Sequence, residues 1–96
     1  MLTFETVLSA FKDYLAQDTQ YEVILASRGY ILLMWNANGR ELESATHCPT
    51  PEAMKDELLS AYAGYLEYNI TLCNRNLTDE ERKQIEAQVQ EMSDSI

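Results

Sequence analysis

The run Tyr30-Ile31-Leu32-Leu33-Met34-Trp35 is apolar at every position, and it is bracketed by Ser27-Arg28-Gly29 and Asn36-Ala37-Asn38-Gly39. Side chains along a strand point alternately to the two faces of a sheet. A strand apolar throughout is therefore expected at the centre of a sheet covered on both faces, with the flanking helices as cover.

The rest of the chain supplies those helices. Phe4, Val7, Leu8, Phe11 and Leu15 recur on one face of an amphipathic helix, predicted over residues 3–17 with Thr3 as its cap. Tyr21, Val23 and Leu25 alternate with Glu22, Ile24 and Ala26 and predict a first strand. Asn38-Gly39 reads as a type I′ hairpin turn into a third strand, Glu41 to His47, whose Glu41, Glu43, Ser44 and Thr46 suit an exposed edge. Pro49 stops that strand, and Thr50-Pro51 opens a long helix to about residue 73. Its expected buried stripe is Met54, Leu58, Ala61, Tyr62, Tyr65 and Leu72, widened by Ala53, Leu59, Ala63, Leu66 and Ile70, so it needs a second neighbour. Thr78 and Glu81 form a capping box for a last helix striped by Ile85, Val89, Met92 and Ile96, which should fold back on the long helix. The reading is one α+β domain over residues 1–96 in αβββαα order: a three-stranded antiparallel meander packed against three helices.

Charge limits the partners. Sixteen Asp and Glu against seven Lys and Arg give a net charge of −9. Such a surface repels phosphate backbones and anionic lipid, so neither direct nucleic-acid binding nor membrane association is expected, whereas a cationic protein partner is. The segment Met1 to Val7 lacks the basic and continuous apolar regions of a signal peptide, and a cytoplasmic location is expected. Cys48 and Cys73 are then expected as reduced, mostly buried thiols.

Candidate chemistry is sparse. His47, Cys48 and Cys73 are three soft ligands, but adjacent strand residues diverge and no C-x-x-C spacing occurs, so no metal or cofactor site is predicted. The carboxylate pairs Glu41/Glu43 and Asp56/Glu57 fit solvated faces better than acid–base work. No catalytic residue emerges, and the chain is not expected to be an enzyme. Tyr62, Tyr65 and Tyr68 step along the long helix, with Tyr30 and Trp35 as candidates to extend an aromatic strip. Tyr62 and Tyr65 fall in the buried stripe, while Tyr68 falls beside it and is expected at the surface.

Leu2-Thr3-Phe4-Glu5, Tyr21-Glu22-Val23, Gly29-Tyr30, Met34-Trp35-Asn36, Cys48-Pro49-Thr50-Pro51-Glu52-Ala53 and Leu77-Thr78-Asp79-Glu80-Glu81 together resemble small accessory proteins of conjugative transposons of Clostridium-like gut bacteria. The likeness spans nearly the whole chain, but its motifs are caps and turns. It implies a cytoplasmic accessory protein of a mobile element and brings no catalytic residues with it.

The leading expectation is a non-enzymatic protein-binding accessory or regulatory module. Its partner would present a basic or aromatic-accepting surface to Tyr68, Asp79, Glu80, Glu86 and Glu91. One alternative is a nucleic-acid mimic, with Asp79, Glu80, Glu81, Glu86, Glu91 and Asp94 in place of phosphates, though Arg82 and Lys83 interrupt the row. Another is a small-ligand binder or enzyme using a sheet–helix pocket, with His47, Cys48 and the tyrosines as its only candidates.

Overall fold

Thr3 sits in extended backbone and its hydroxyl accepts the Thr6 N–H, giving an otherwise orphan donor a partner where the first helix begins. In this computed structural model, which describes residues 1–36 and 38–96, α1 runs Phe4–Gln17 and buries Val7, Phe11 and Tyr14. Strands β1 (Tyr21–Ala26), β2 (Gly29–Trp35) and β3 (Leu42–Cys48) form an antiparallel meander with β2 in the centre. Thr50 caps α2 (Pro51–Thr71), with Pro51 in the first turn, and the Thr78–Glu81 capping box opens α3 (Asp79–Asp94). The chain is thus an α+β fold in αβββαα order.

The two hairpins are closed differently. Between β1 and β2 the turn is tight, with Ala26 opposite Gly29. Gly29 is required twice over: its φ is +119°, and a Cβ there would lie 2.6 Å from the Cys48 carbonyl oxygen. Between β2 and β3 the predicted two-residue turn gives way to a wider loop, closed by the Asn36 N–H donating to the Glu41 carbonyl at 2.8 Å. The side-chain oxygens of Asn36 and Asn38 both accept the Arg40 N–H, so the asparagines organise the loop through their carboxamides. Gly39 supplies the positive φ, +72°. A register shift at Met34/Trp35 places Trp35 opposite Leu42.

Register sorts the sheet into two faces. Tyr21, Val23, Tyr30, Leu32, Met34, Thr46 and Cys48 share one face, and α1 and α2 pack there. Leu32 and Cys48 join Val7, Phe11, Met54 and Leu58 in a single core, and the Phe4 ring lies 4.8 Å from that of Tyr30. Helix α3 packs on α2 and buries Ile85. The molecule is a slab 18 Å in its shortest dimension, the depth of one sheet and one helix layer.

All the helix cover therefore lies on one side. The opposite face carries Ile24, Ile31, Leu33, Trp35 and Ala45, flanked by Glu22 and His47, and among the described residues no helix lies over it. This corrects the expectation that β2 is covered on both faces. Ile31, Leu33 and Trp35 are half-buried because cross-strand neighbours shield them laterally, not because another layer does.

The end of α2 brings a second correction. Leu72, expected in the buried stripe, is the helix C-cap in left-handed backbone, φ 51°, and is 57% exposed, while Thr71 takes the buried place. Cys73 follows at φ 61° and is also exposed, so of the two thiols only Cys48 is in the core. Two consecutive non-glycine residues in this region cost roughly 1–2 kcal/mol each.

Candidate functional site

Two surfaces stand out from ordinary solvated exterior. The first is a cleft where the end of α1 and the start of β1 meet the flank of α2. Asp18 ends α1, its N–H still donating to the Tyr14 carbonyl, and it turns the chain towards β1. The residue is only 8% exposed. A buried carboxylate requires partners. Oδ2 accepts the Tyr14 hydroxyl at 2.7 Å and Oδ1 accepts the Gln20 N–H at 3.3 Å. The Tyr14 ring is clamped edge-on by Tyr62 and Tyr65, each at 5.3 Å between centroids. The Tyr65 hydroxyl reaches Gln17 Oε1 at 3.4 Å across the gap between the helices.

The cleft has a volume of about 520 Å3, and Asp18, Tyr21, Gly64, Tyr65 and Tyr68 are among its walls. That is within the ordinary range for ligand pockets, roughly 300–1,000 Å3. Its electrostatics are one-signed. Burial pushes the Tyr21 phenol above its ordinary pKa, and the negative charges of Asp18, Glu43 and Glu57 push it the same way. Burial first, and then the bond to Asp18, hold the Tyr14 phenol far above the ordinary tyrosine range.

The second surface is the open sheet face. Its centre, Ile31, Leu33 and Trp35 on β2, is flanked by Ile24 at 40% exposure on β1, Ala45 on β3 and Leu42 at 49% where the strand begins. His47 lies on this face and its Nε2 is 2.8 Å from the Arg28 carbonyl oxygen of the first hairpin turn. Cys48 points the other way into the core, where burial and then Glu57 raise its thiol pKa, the opposite of what a nucleophilic thiolate needs. His47 and Cys48 are not brought together, and Cys73 is at the far end of α2. Among the described residues no three His, Cys, Asp or Glu side chains cluster as metal ligands.

The aromatic strip divides. Tyr68 is exposed at 54% on the rim of the cleft, and Tyr65 lines it below. Tyr30 instead packs at a tilt against Phe4 beneath the helices, and Trp35 is on the open face, so neither extends the strip. Asp79, Glu80, Glu86 and Glu91 are all exposed on α3. At 3.6 residues per turn, Tyr68 falls opposite the Leu59, Ala63, Leu66 and Ile70 flank that widens the apolar arc of α2, so the tyrosine and the α3 carboxylates do not form one surface. Lys83 lies on the same side of α3 as Asp79 and Glu86, four and three residues away, and breaks the acidic row. Glu81 is committed to structure: both its oxygens receive Arg75, at 2.7 and 2.8 Å, and Oε1 also accepts the Thr78 N–H.

Sequence reasoning missed Asp18 and Gly64. Asp18 falls just past the predicted end of the first helix, and only the fold reveals that its carboxylate turns inward. Gly64 was a detectable anomaly, a glycine in the middle of a 21-residue helix. Among the described residues no helix is long and apolar enough to cross a membrane. No known protein family, curated protein or solved structure matches the chain.

Proposed function

We propose that this chain is a non-enzymatic protein-binding module that docks, through its open sheet face, an amphipathic helix from a partner with basic residues along its flanks. The apolar patch on the uncovered side of β2 is the observation that carries this reading. A sheet face takes a helix in the way that the opposite face takes α1 and α2, and an unpartnered apolar patch on a small domain is where a partner is accommodated. Glu22 beside the patch and the overall charge of −9 favour basic flanks.

A second copy is a poorer occupant. Strand spacing and rise give a three-stranded face of roughly 300 Å2, which limits a helix and a second copy alike to a weak contact. Two copies would bring −9 against −9. Such an area suits a transient contact. The two free thiols fit a reducing cytoplasm. The resemblance to conjugative-transposon accessory proteins would place the partner within the machinery of a mobile element. The nucleic-acid-mimic reading has less support, because Lys83 interrupts the α3 carboxylates.

The test is affinity capture from a clostridial lysate, followed by footprinting of the recovered complex by amide exchange. Docking predicts protection over Ile24, Ile31 and Leu33, loss of the partner with Leu33→Glu, and retention with Leu25→Glu, a control at an exposed position on the other face. A footprint on α3, with capture lost on reversing Glu86 and Glu91 to Lys, would favour mimicry instead.

A further inference from the structure

We propose that the cleft between the α1–β1 corner and α2 binds an organic ammonium group, with the tyrosines as aromatic walls and Asp18 as the counter-ion. The site is separate from the sheet face, and its chemistry is set by what lines it. Tyr65 and Tyr68, three residues apart on α2, and Tyr21 at the start of β1 line a space of about 520 Å3. Aromatic faces attract cations through the ring quadrupole, most strongly where water is partly excluded. Among the described residues that line the cleft, Asp18 is the only charged one. An ionised carboxylate offers about four acceptor positions, and Tyr14 and Gln20 occupy two of them. The remaining capacity is held rigidly, since the Tyr14 hydroxyl that fixes the carboxylate belongs to a ring packed against Tyr62 and Tyr65.

Gly64 is the independent observation. A mid-helix glycine is destabilising by roughly 0.5–1 kcal/mol relative to alanine. Nothing local requires it here: its φ lies outside the left-handed region, and a Cβ built on it meets no atom within 4 Å. The space its side chain would occupy is the cleft, which it lines. What the missing side chain does in this fold is keep that cleft open.

An alkylammonium can come from a free amine or from a lysine side chain, and two arms of one titration separate them. Butylammonium chloride and a lysine-bearing peptide are titrated into the intact protein while the ring resonances of Tyr21, Tyr65 and Tyr68 are followed by NMR, with butanol and the norleucine version of the peptide as neutral controls. The expected result is saturable shifts of those rings with the ammonium probes and not with the controls, weakened by salt. Tighter binding of the peptide identifies a protein source, and equal or weaker binding identifies a free amine.

Asp18→Asn should weaken the probe at least about tenfold, as expected for loss of a charge-assisted contact. Because Asp18 also holds the α1–β1 corner, Gly64→Leu is the decisive variant. Leucine is a better helix former than glycine and enters open space, so the fold should persist with a melting temperature no lower than wild type while the ring shifts disappear. Equal response to butanol, absence of any saturable shift, or wild-type binding by a folded Gly64→Leu would each overturn the assignment.

Discussion

Tyr14 and Asp18, one helical turn apart at the end of α1, are both buried and are joined by a 2.7 Å hydrogen bond from the phenol to the carboxylate. Short bonds to an ionised acceptor are the stronger kind. Tyr14→Phe removes the donor and leaves Asp18 with the Gln20 N–H alone, inside a site already withdrawn from water. The expected loss is about 1–3 kcal/mol, read from the urea midpoint at neutral pH.

The same pair sets an alkaline limit. Burial, and then the bond to Asp18, keep the Tyr14 phenol protonated in the folded state well above the value of about 10 at which it ionises when unfolded. Its contribution is fully present below pH ~10. As pH rises beyond that, the unfolded chain releases the proton and the folded chain retains it, so stability falls by up to about 1.4 kcal/mol per pH unit. Urea midpoints should decline above about pH 10 in the wild type, and less steeply in Tyr14→Phe, where Tyr21 remains as the other raised phenol.

Glu81 sets the corresponding acid behaviour at the start of α3. The Arg75 guanidinium, followed by the Thr78 N–H, lowers its carboxyl to about 2. A depressed carboxyl stabilises the fold above its unfolded value of about 4.5, and that contribution disappears as pH falls towards about 2. Amide exchange in the first turn of α3 should speed up across this window, and Glu81→Gln should show the faster exchange at neutral pH. Thr78→Ala, which removes the cap itself, should cost about 0.5–2 kcal/mol.

The two central leucines of β2 should separate the faces of the sheet. Leu32 is 5% exposed within the core, and Leu32→Ala should cost about 2–5 kcal/mol through lost transfer energy and a cavity. Leu33 is half-buried on the open face, with room for the surroundings to relax, and Leu33→Ala should cost about 1 kcal/mol or less. Comparable losses from parallel urea titrations would mean that a further layer covers the sheet.

Periodicity and capping were enough to read the element order. Thr3, Thr50, Thr78 and Pro51 mark helix starts, and these signals are local. The misreadings arose where one pattern has two structural solutions. An apolar run fits a strand covered twice, but equally a strand whose second face is shielded laterally by Ile24, Ala45 and Leu42. Leu72 continued the apolar stripe of α2 on paper, yet the helix stops at Thr71 and left-handed backbone turns Leu72 outwards.

The exposure of Tyr68 could be read from its place on the helix wheel, because it depends on α2 alone. The cleft beneath it could not. It depends on α1 delivering Asp18 to the flank of α2, forty-six positions before Gly64, and sequence spacing carries no record of that meeting. Gly64→Ala should stabilise the chain by about 0.5–1 kcal/mol, measurable by thermal unfolding, if the glycine answers to the cleft rather than to helix packing. Destabilisation would indicate a backbone role for Gly64 that the fold does not display.

Trp35, the single tryptophan, lies on the open sheet face and reports on docking there without a label. Acrylamide quenching of its emission, before and after addition of the captured partner, is the most direct measurement of what that face does. Docking predicts a quencher-accessible indole in the free chain, then a blue shift and shielding in the complex, both lost with Leu33→Glu. A Trp35 that remains equally accessible in a complex known to have formed would contradict docking through the sheet.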